Sequence, residues 1–114
     1  MKQLSKIFKA MSDTNRLRIL RMLYHRPLCV CEMREILQLA VSTVSAHLSI
    51  LKEADLIIDE KDNKWVNYSL NTNSQNPVVK KMLTMLVNWT ENDTDFAGDL
   101  EKINTVDRNT ICGG

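Results

Sequence analysis

The sequence predicts a mainly α-helical domain that carries one small β-hairpin. Three observations predict it. Apolar residues recur at helical spacing over most of the chain. Two short helical segments sit on either side of a tight turn at Gln38 and Leu39. Two β-rich runs, Leu56 to Glu60 and Trp65 to Leu70, flank the polar stretch Lys61 to Lys64. Two short helices joined by such a turn make a helix-turn-helix, and a hairpin directly after the second helix makes a wing. The 114 residues, 44% of them hydrophobic, suffice for one compact domain with a small core.

The elements follow in order. Leu4, Ile7, Phe8 and Met11 fall on one face of a helix over residues 2–11. Ser12 or Asp13 is placed to cap the next helix. Its stripe of Leu17, Ile19, Leu20, Met22 and Leu23 is wide enough to be mostly buried, and Pro27 ends it. A short helix runs from about Cys29 to Leu37. After the turn a second one runs from about Val41 to Ala54, with Val44, Leu48 and Leu51 inward and Ile50 partly so. Pro77 opens a further helix in the favoured first position. Val78, Met82, Leu83, Met85, Leu86 and Trp89 give it a broad apolar stripe to about Asn92, which calls for a partner helix. Residues 1–92 then form the domain, and residues 93–114 read as an acidic, flexible tail. Within that tail, Asp99 to Asn104 is a candidate short helix and Thr110 to Gly114 reads as loose.

Composition narrows the function classes. No apolar run is long enough for a membrane span, and Met1-Lys2-Gln3-Leu4-Ser5-Lys6 leads into an amphipathic pattern rather than a signal core. A cytoplasmic protein without a membrane partner is therefore expected. Structural disulfides are not expected in that reducing compartment. Cys29 and Cys31, one residue apart, then read as reactive or ligating, and Cys112 needs a separate account.

Net charge is only +1, but it is unevenly spread. Residues 1–26 hold seven Lys and Arg against Asp13 alone, whereas residues 71–114 hold four basic against six acidic residues. A basic front end fits a face presented to phosphates; a solvated helix surface is the plainer alternative. Ser42, Thr43 and Ser45 lie in the first turns of the second helix of the pair, where base edges are met, and Val41 could touch a thymine methyl. Lys52, and Lys61 and Lys64 on the wing, are placed for backbone phosphates, as are Arg16 and Arg18. Capping would account for one of the hydroxyls, but three hydroxyls, a histidine, a turn and a hairpin in this order favour a reader of double-stranded DNA. His47 has no ligand partner at helical spacing, so it reads as a packed or phosphate-bonding residue.

Four blocks carry a resemblance: Asp13 to Leu20, Leu28 to Met33, Ser42 to Leu48 and Lys64 to Leu70. Their order and spacing resemble the ArsR/SmtB family of dimeric winged-helix repressors, which leave DNA on binding metal or metalloid. The likeness runs from about residue 4 to residue 92. It implies a homodimer joined through the first and last helices of that stretch, a repressor and not an enzyme, with no cofactor needed for DNA binding. Three departures bear on base preference: Ala40 where many relatives have a capping Ser, Ala46 where many have a polar residue, and Gln38 where Gly or Asn is common.

The thiol pair suggests the signal. Residues two apart in a helix are separated by roughly 200° about its axis, so Cys29 and Cys31 share an ion only if the helix start is unwound. Thiolates select soft ions, and structural zinc wants four protein ligands where this segment offers two thiols. Trivalent arsenic or antimony needs two or three thiolates, so As(III) or Sb(III) is the expected inducer. Within the family, Cys29-Val30-Cys31 resembles the arsenic- and antimony-responsive members, and also those sensing cadmium and lead. The cadmium and lead type adds cysteines ahead of this position, and none precedes Cys29. The zinc-type site uses Asp and His on the last helix, and residues 77–92 contain no His. Many arsenic-type relatives have a third Cys where this chain has Arg34, so Cys112 is a candidate third ligand. Two other readings stay open on the same scaffold or outside it. One is a redox or reactive-sulfur sensor in which Cys112 pairs with Cys29 or Cys31. The other is a thiol enzyme or metal carrier, for which no activating base is visible. Cys29 and Cys31 could also be two small buried hydrophobes.

Overall fold

The structure, a computed structural model, describes residues 1–112; Gly113 and Gly114 lie outside the described residues. Helix α1 (Lys2–Ala10) buries Ile7 and Ala10. The Asp13 carboxylate caps α2 (Thr14–His25) by accepting from the Arg16 N–H at 3.1 Å. The α2 stripe packs inward as expected, with Ile19, Leu20, Met22 and Leu23 buried. Helices α3 (Val30–Leu37) and α4 (Val41–Glu53) form the helix-turn-helix. Gln38 closes α3 in the left-handed region, at φ 57° and ψ 46°. Val44, Leu48 and Leu51 hold α4 to the core; Ile50, expected to be partly inward, is exposed.

The hairpin is longer than predicted and its turn shorter. Strand β2 (Ile57–Asp62) pairs antiparallel with β3 (Trp65–Leu70) from Ile57 opposite Leu70 to Asp62 opposite Trp65. Asn63 supplies the positive φ of 57° that the two-residue turn requires, which Asn tolerates better than most residues. A strand not foreseen, β1 (Leu28–Cys29), completes a sheet of order β1-β3-β2 by pairing Leu28 with Tyr68 and Cys29 with Asn67. The predicted start of α3 at Cys29 therefore shifts by one residue, because Cys29 is drawn into the sheet.

Helix α5 (Pro77–Trp89) has Pro77 in its first turn and Asn76 as cap, and buries Val79, Leu83 and Leu86. Trp89 remains 71% exposed and Phe8 on α1 53% exposed. Neither is covered within one chain.

The segment expected as an acidic, flexible tail carries two helices among its described residues, and the first of them packs into the core. Helix α6 (Thr94–Thr105), capped by Asp93, buries Phe96, Asp99 and Ile103. It docks on α2, where Phe96 stacks on the His25 ring at 5.4 Å and lies 4.1 Å from the Arg21 guanidinium. A one-turn helix α7 (Arg108–Ile111) follows. Phe96, Leu100 and Ile103 stand at helical spacing, and the dominant acidic charge of the segment hid that signal. Among the described residues no helix is long and apolar enough to cross a membrane.

Candidate nucleic-acid interface and thiol site

With Val44, Leu48 and Leu51 turned inward, the first turns of α4 present Val41, Ser42, Thr43 and Ser45 to solvent. The cap position is Ala40, which has no side-chain bond to give, so none of these hydroxyls serves as the N-cap. Lys61 and Lys64 are exposed at the wing tip, Lys64 with its Nζ 5.1 Å from the centre of the Trp65 ring. The exposed hydroxyls of α4 and the wing lysines thus lie on elements consecutive in the chain.

The other expected phosphate contacts are engaged within the protein. Lys52 Nζ donates to Asp59 Oδ2 at 3.0 Å. Arg16 ties the end of α1 to α4: its Nε donates to the Ala10 carbonyl at 2.8 Å and its Nη2 to that of Lys9 at 3.3 Å. Its Nη1 donates to His47 Nδ1 at 3.2 Å. A guanidinium only donates, so His47 Nδ1 is the acceptor of that bond. Arg18 corrects the expectation most clearly. Its Nε and Nη2 donate to Asp99 Oδ2 and Oδ1 at 2.8 and 2.7 Å, which directs it into the protein.

The thiols are arranged differently from the expected Cys29/Cys31 chelate. Cys29 is the N-cap of α3, in extended geometry with φ −92° and ψ 168°. It forms a capping box with Glu32, a spacing readable in the sequence. The Cys29 N–H donates to Glu32 Oε1 at 2.9 Å while the Cys29 side chain faces the Glu32 N–H. Glu32 is itself buried, and its Oε2 accepts from Arg26 Nη1 at 3.1 Å. Cys29 is 3% exposed, and burial pushes its thiol above the usual range.

Cys31, in the first turn of α3, is joined to Cys112 by a disulfide with Cα atoms 6.0 Å apart. The expectation that no structural disulfide forms is corrected here: α7 brings Cys112, its C-cap, to the start of α3. Among the described residues no cluster of three or more His, Cys, Asp or Glu is placed to hold a metal ion. Cys29, held in β1, is buried, while Cys31 in the first turn of α3 reaches Cys112 on α7.

The same short helix reaches the wing, which the sequence did not signal. Arg108 Nη1 donates to Asn67 Oδ1 at 2.8 Å and Nη2 to Asp62 Oδ2 at 3.3 Å. Its guanidinium carbon lies 5.1 Å from the centre of the Trp65 ring.

Residues 13–59 match the family described as "Bacterial regulatory protein, arsR family". The cadmium resistance transcriptional regulatory protein CadC of Listeria innocua is 36% identical over 88 residues, covering 76% of this chain and 71% of the relative. The arsenical resistance operon repressor of Bacillus subtilis is 39% identical over 77 residues, covering 67% of this chain and 73% of the relative. The fold is shared with the homodimeric winged helix-turn-helix DNA-binding domain of a possible ArsR-family transcriptional regulator from Mycobacterium bovis. That match has a TM-score of 0.67 at 20% identity and covers 79% of this chain and 80% of the other.

Proposed function

The chain belongs to the arsR family of bacterial regulatory proteins, and from that premise we propose that it is a transcriptional repressor released from DNA by a thiol-binding metalloid. It binds operator DNA as a homodimer, through α4 and the β2–β3 wing of each protomer. It leaves when trivalent arsenic or antimony takes the reduced thiols of Cys29, Cys31 and Cys112. The observation that carries this reading is the seating of Cys112 on Cys31 at the start of α3, two residues from Cys29.

The chemistry requires the Cys31–Cys112 pair in its reduced form. Each thiol then gives its proton to a hydroxyl of arsenous acid, which leaves as water, and arsenic stays trivalent throughout. Two thiolates come from Cys31 and Cys112. The third, Cys29, reaches the ion only by leaving its cap on α3. Chelation therefore loosens the first turn of the helix that packs against α4, so metalloid binding and DNA binding oppose one another by linkage. The exposed Phe8 and Trp89 stand on α1 and α5, the two helices through which the protomers are proposed to join.

The test is fluorescence anisotropy of reduced protein on labelled DNA from upstream of its own gene, at fixed salt, titrated separately with arsenite, cadmium, zinc and peroxide. Arsenite is expected to release the DNA, and Cys31→Ser to bind DNA yet ignore arsenite. Release by cadmium with arsenite silent would overturn the inducer and leave the repressor. A second reading, a redox thiol sensor, is favoured by the Cys31–Cys112 disulfide and predicts release by peroxide that added thiol reverses.

A further inference from the structure

We propose that α7 is a strap that carries the state of the Cys31–Cys112 pair to the DNA-binding wing, with Arg108 as the positioning residue at its wing end. The inference rests on the reading that thiol chemistry at this site controls DNA binding, and it names the route.

Both grips of the strap are on one turn of one helix. Arg108 and Cys112 are four residues apart, about 6 Å along a helix axis, so a shift at one end displaces the other. Arg108 holds the wing at a mechanically decisive place. Strand β1 pairs with β3 only at Leu28–Tyr68 and Cys29–Asn67. From Asn67 toward the tip the sheet is reduced to two strands, which alone are marginally stable in water. Arg108 bonds Asn67, the last residue of β3 that a third strand supports, and Asp62, beyond it near the tip. It also packs on Trp65, the residue paired with Asp62. Asn67 in turn is the sheet partner of Cys29, while Cys31 reaches the same hinge through Cys112 and Arg108.

A bridge between Cys31 and Cys112 closes the strap and holds the wing tip against the protein body. When the bridge opens, α7 is released, Arg108 lets go of Asp62 and Asn67, and Lys61 and Lys64 are free to settle on phosphates. Closing by oxidation joins the two sulfurs in an S–S bond with loss of two protons and two electrons. A hydroperoxide accepts them and leaves as an alcohol and water. A trivalent metalloid bonded to both sulfurs closes the same strap without redox change.

The test uses full-length protein grown with 5-fluorotryptophan, so that Trp65 and Trp89 give separate fluorine resonances. Operator affinity is measured in parallel by anisotropy, and free thiols are counted in every sample. In the wild type the Trp65 resonance is expected to differ between the oxidised and reduced forms. Operator affinity is expected to be lower by about tenfold in the oxidised form, within the usual range for coupled sites. In Arg108→Ala the disulfide still closes, leaving Cys29 as the free thiol. The Trp65 resonance stays at its reduced position, and the two affinities come within about twofold. Asp62→Ala with Asn67→Ala, which removes both acceptors on the wing side, is expected to do the same. A wild-type Trp65 resonance that ignores the disulfide overturns the strap, as does an Arg108→Ala protein that keeps the full difference in affinity. Absence of any operator binding would overturn the repressor reading, and the Trp65 resonance would then decide the strap by itself.

Discussion

Arg18 and Asp99 form a two-bond ion pair that fastens the C-terminal helix α6 to α2, with N–O distances of 2.8 and 2.7 Å. The Asp99 side chain is 3% exposed and that of Arg18 26%. A buried carboxylate is tolerable there because both its oxygens are satisfied by one planar guanidinium. The pair holds Arg18 above its ordinary pKa and anchors a segment that is otherwise rich in acidic charge.

Removing one partner of this pair is expected to cost more than removing an exposed one. Asp99→Ala strands the Arg18 guanidinium and is expected to destabilise the protein by about 2–4 kcal/mol, read as a fall in the urea midpoint. Arg18→Met is also destabilising, but is expected to leave the salt dependence of operator binding unchanged, because Arg18 is committed to Asp99. A slope that fell by about one charge would return Arg18 to the phosphate contacts.

The wing lysines carry the opposite expectation. Lys61→Ala and Lys64→Ala should each leave thermal stability nearly unchanged, since both side chains are exposed. Each should weaken operator binding across sequences and lower the salt slope by about one. Ser42→Ala and Thr43→Ala should instead alter the preferred sequence more than the slope, which a competition series of operator variants would read.

Cys29 gives the protein an alkaline limit. Burial raises its pKa in the folded state above that of the unfolded chain. The neutral thiol is thus the form the fold stabilises. That contribution is complete below the ordinary thiol range and is lost as pH rises through the raised pKa. Urea unfolding of the oxidised protein, in which Cys29 is the free cysteine, should show stability declining above about pH 9, while Cys29→Ala shows a flatter profile. Parallel profiles would mean that the thiolate is accommodated in the fold.

The turn between α3 and α4 is not optimised for stability. Gln38 holds a left-handed conformation that glycine adopts at little cost, and Ala40 occupies a cap position with suitable extended geometry but no oxygen. Gln38→Gly and Ala40→Ser are each expected to add about 1 kcal/mol, measured as higher denaturant midpoints. Neither change touches the exposed hydroxyls of α4, so operator affinity should stay within about threefold.

Local pattern was enough for much of this protein. The 3.6-residue stripes of α1, α2, α4 and α5, the Asp13 cap, the Pro77 start and the two β-rich runs flanking Lys61 to Lys64 are short-range signals. They specify the helix-turn-helix and wing, and with them the exposed Val41, Ser42, Thr43 and Ser45. What required the folded chain were the choices of partner. Two residues become β1 only because Tyr68 and Asn67 lie beside them. Asp99 turns inward because Arg18 meets it from 81 residues away, and Cys31 is paired with Cys112 rather than Cys29 across the same separation. Periodicity tells which face of a helix is buried. It carries no information on which distant side chain will be waiting there, because that depends on how the elements pack in three dimensions.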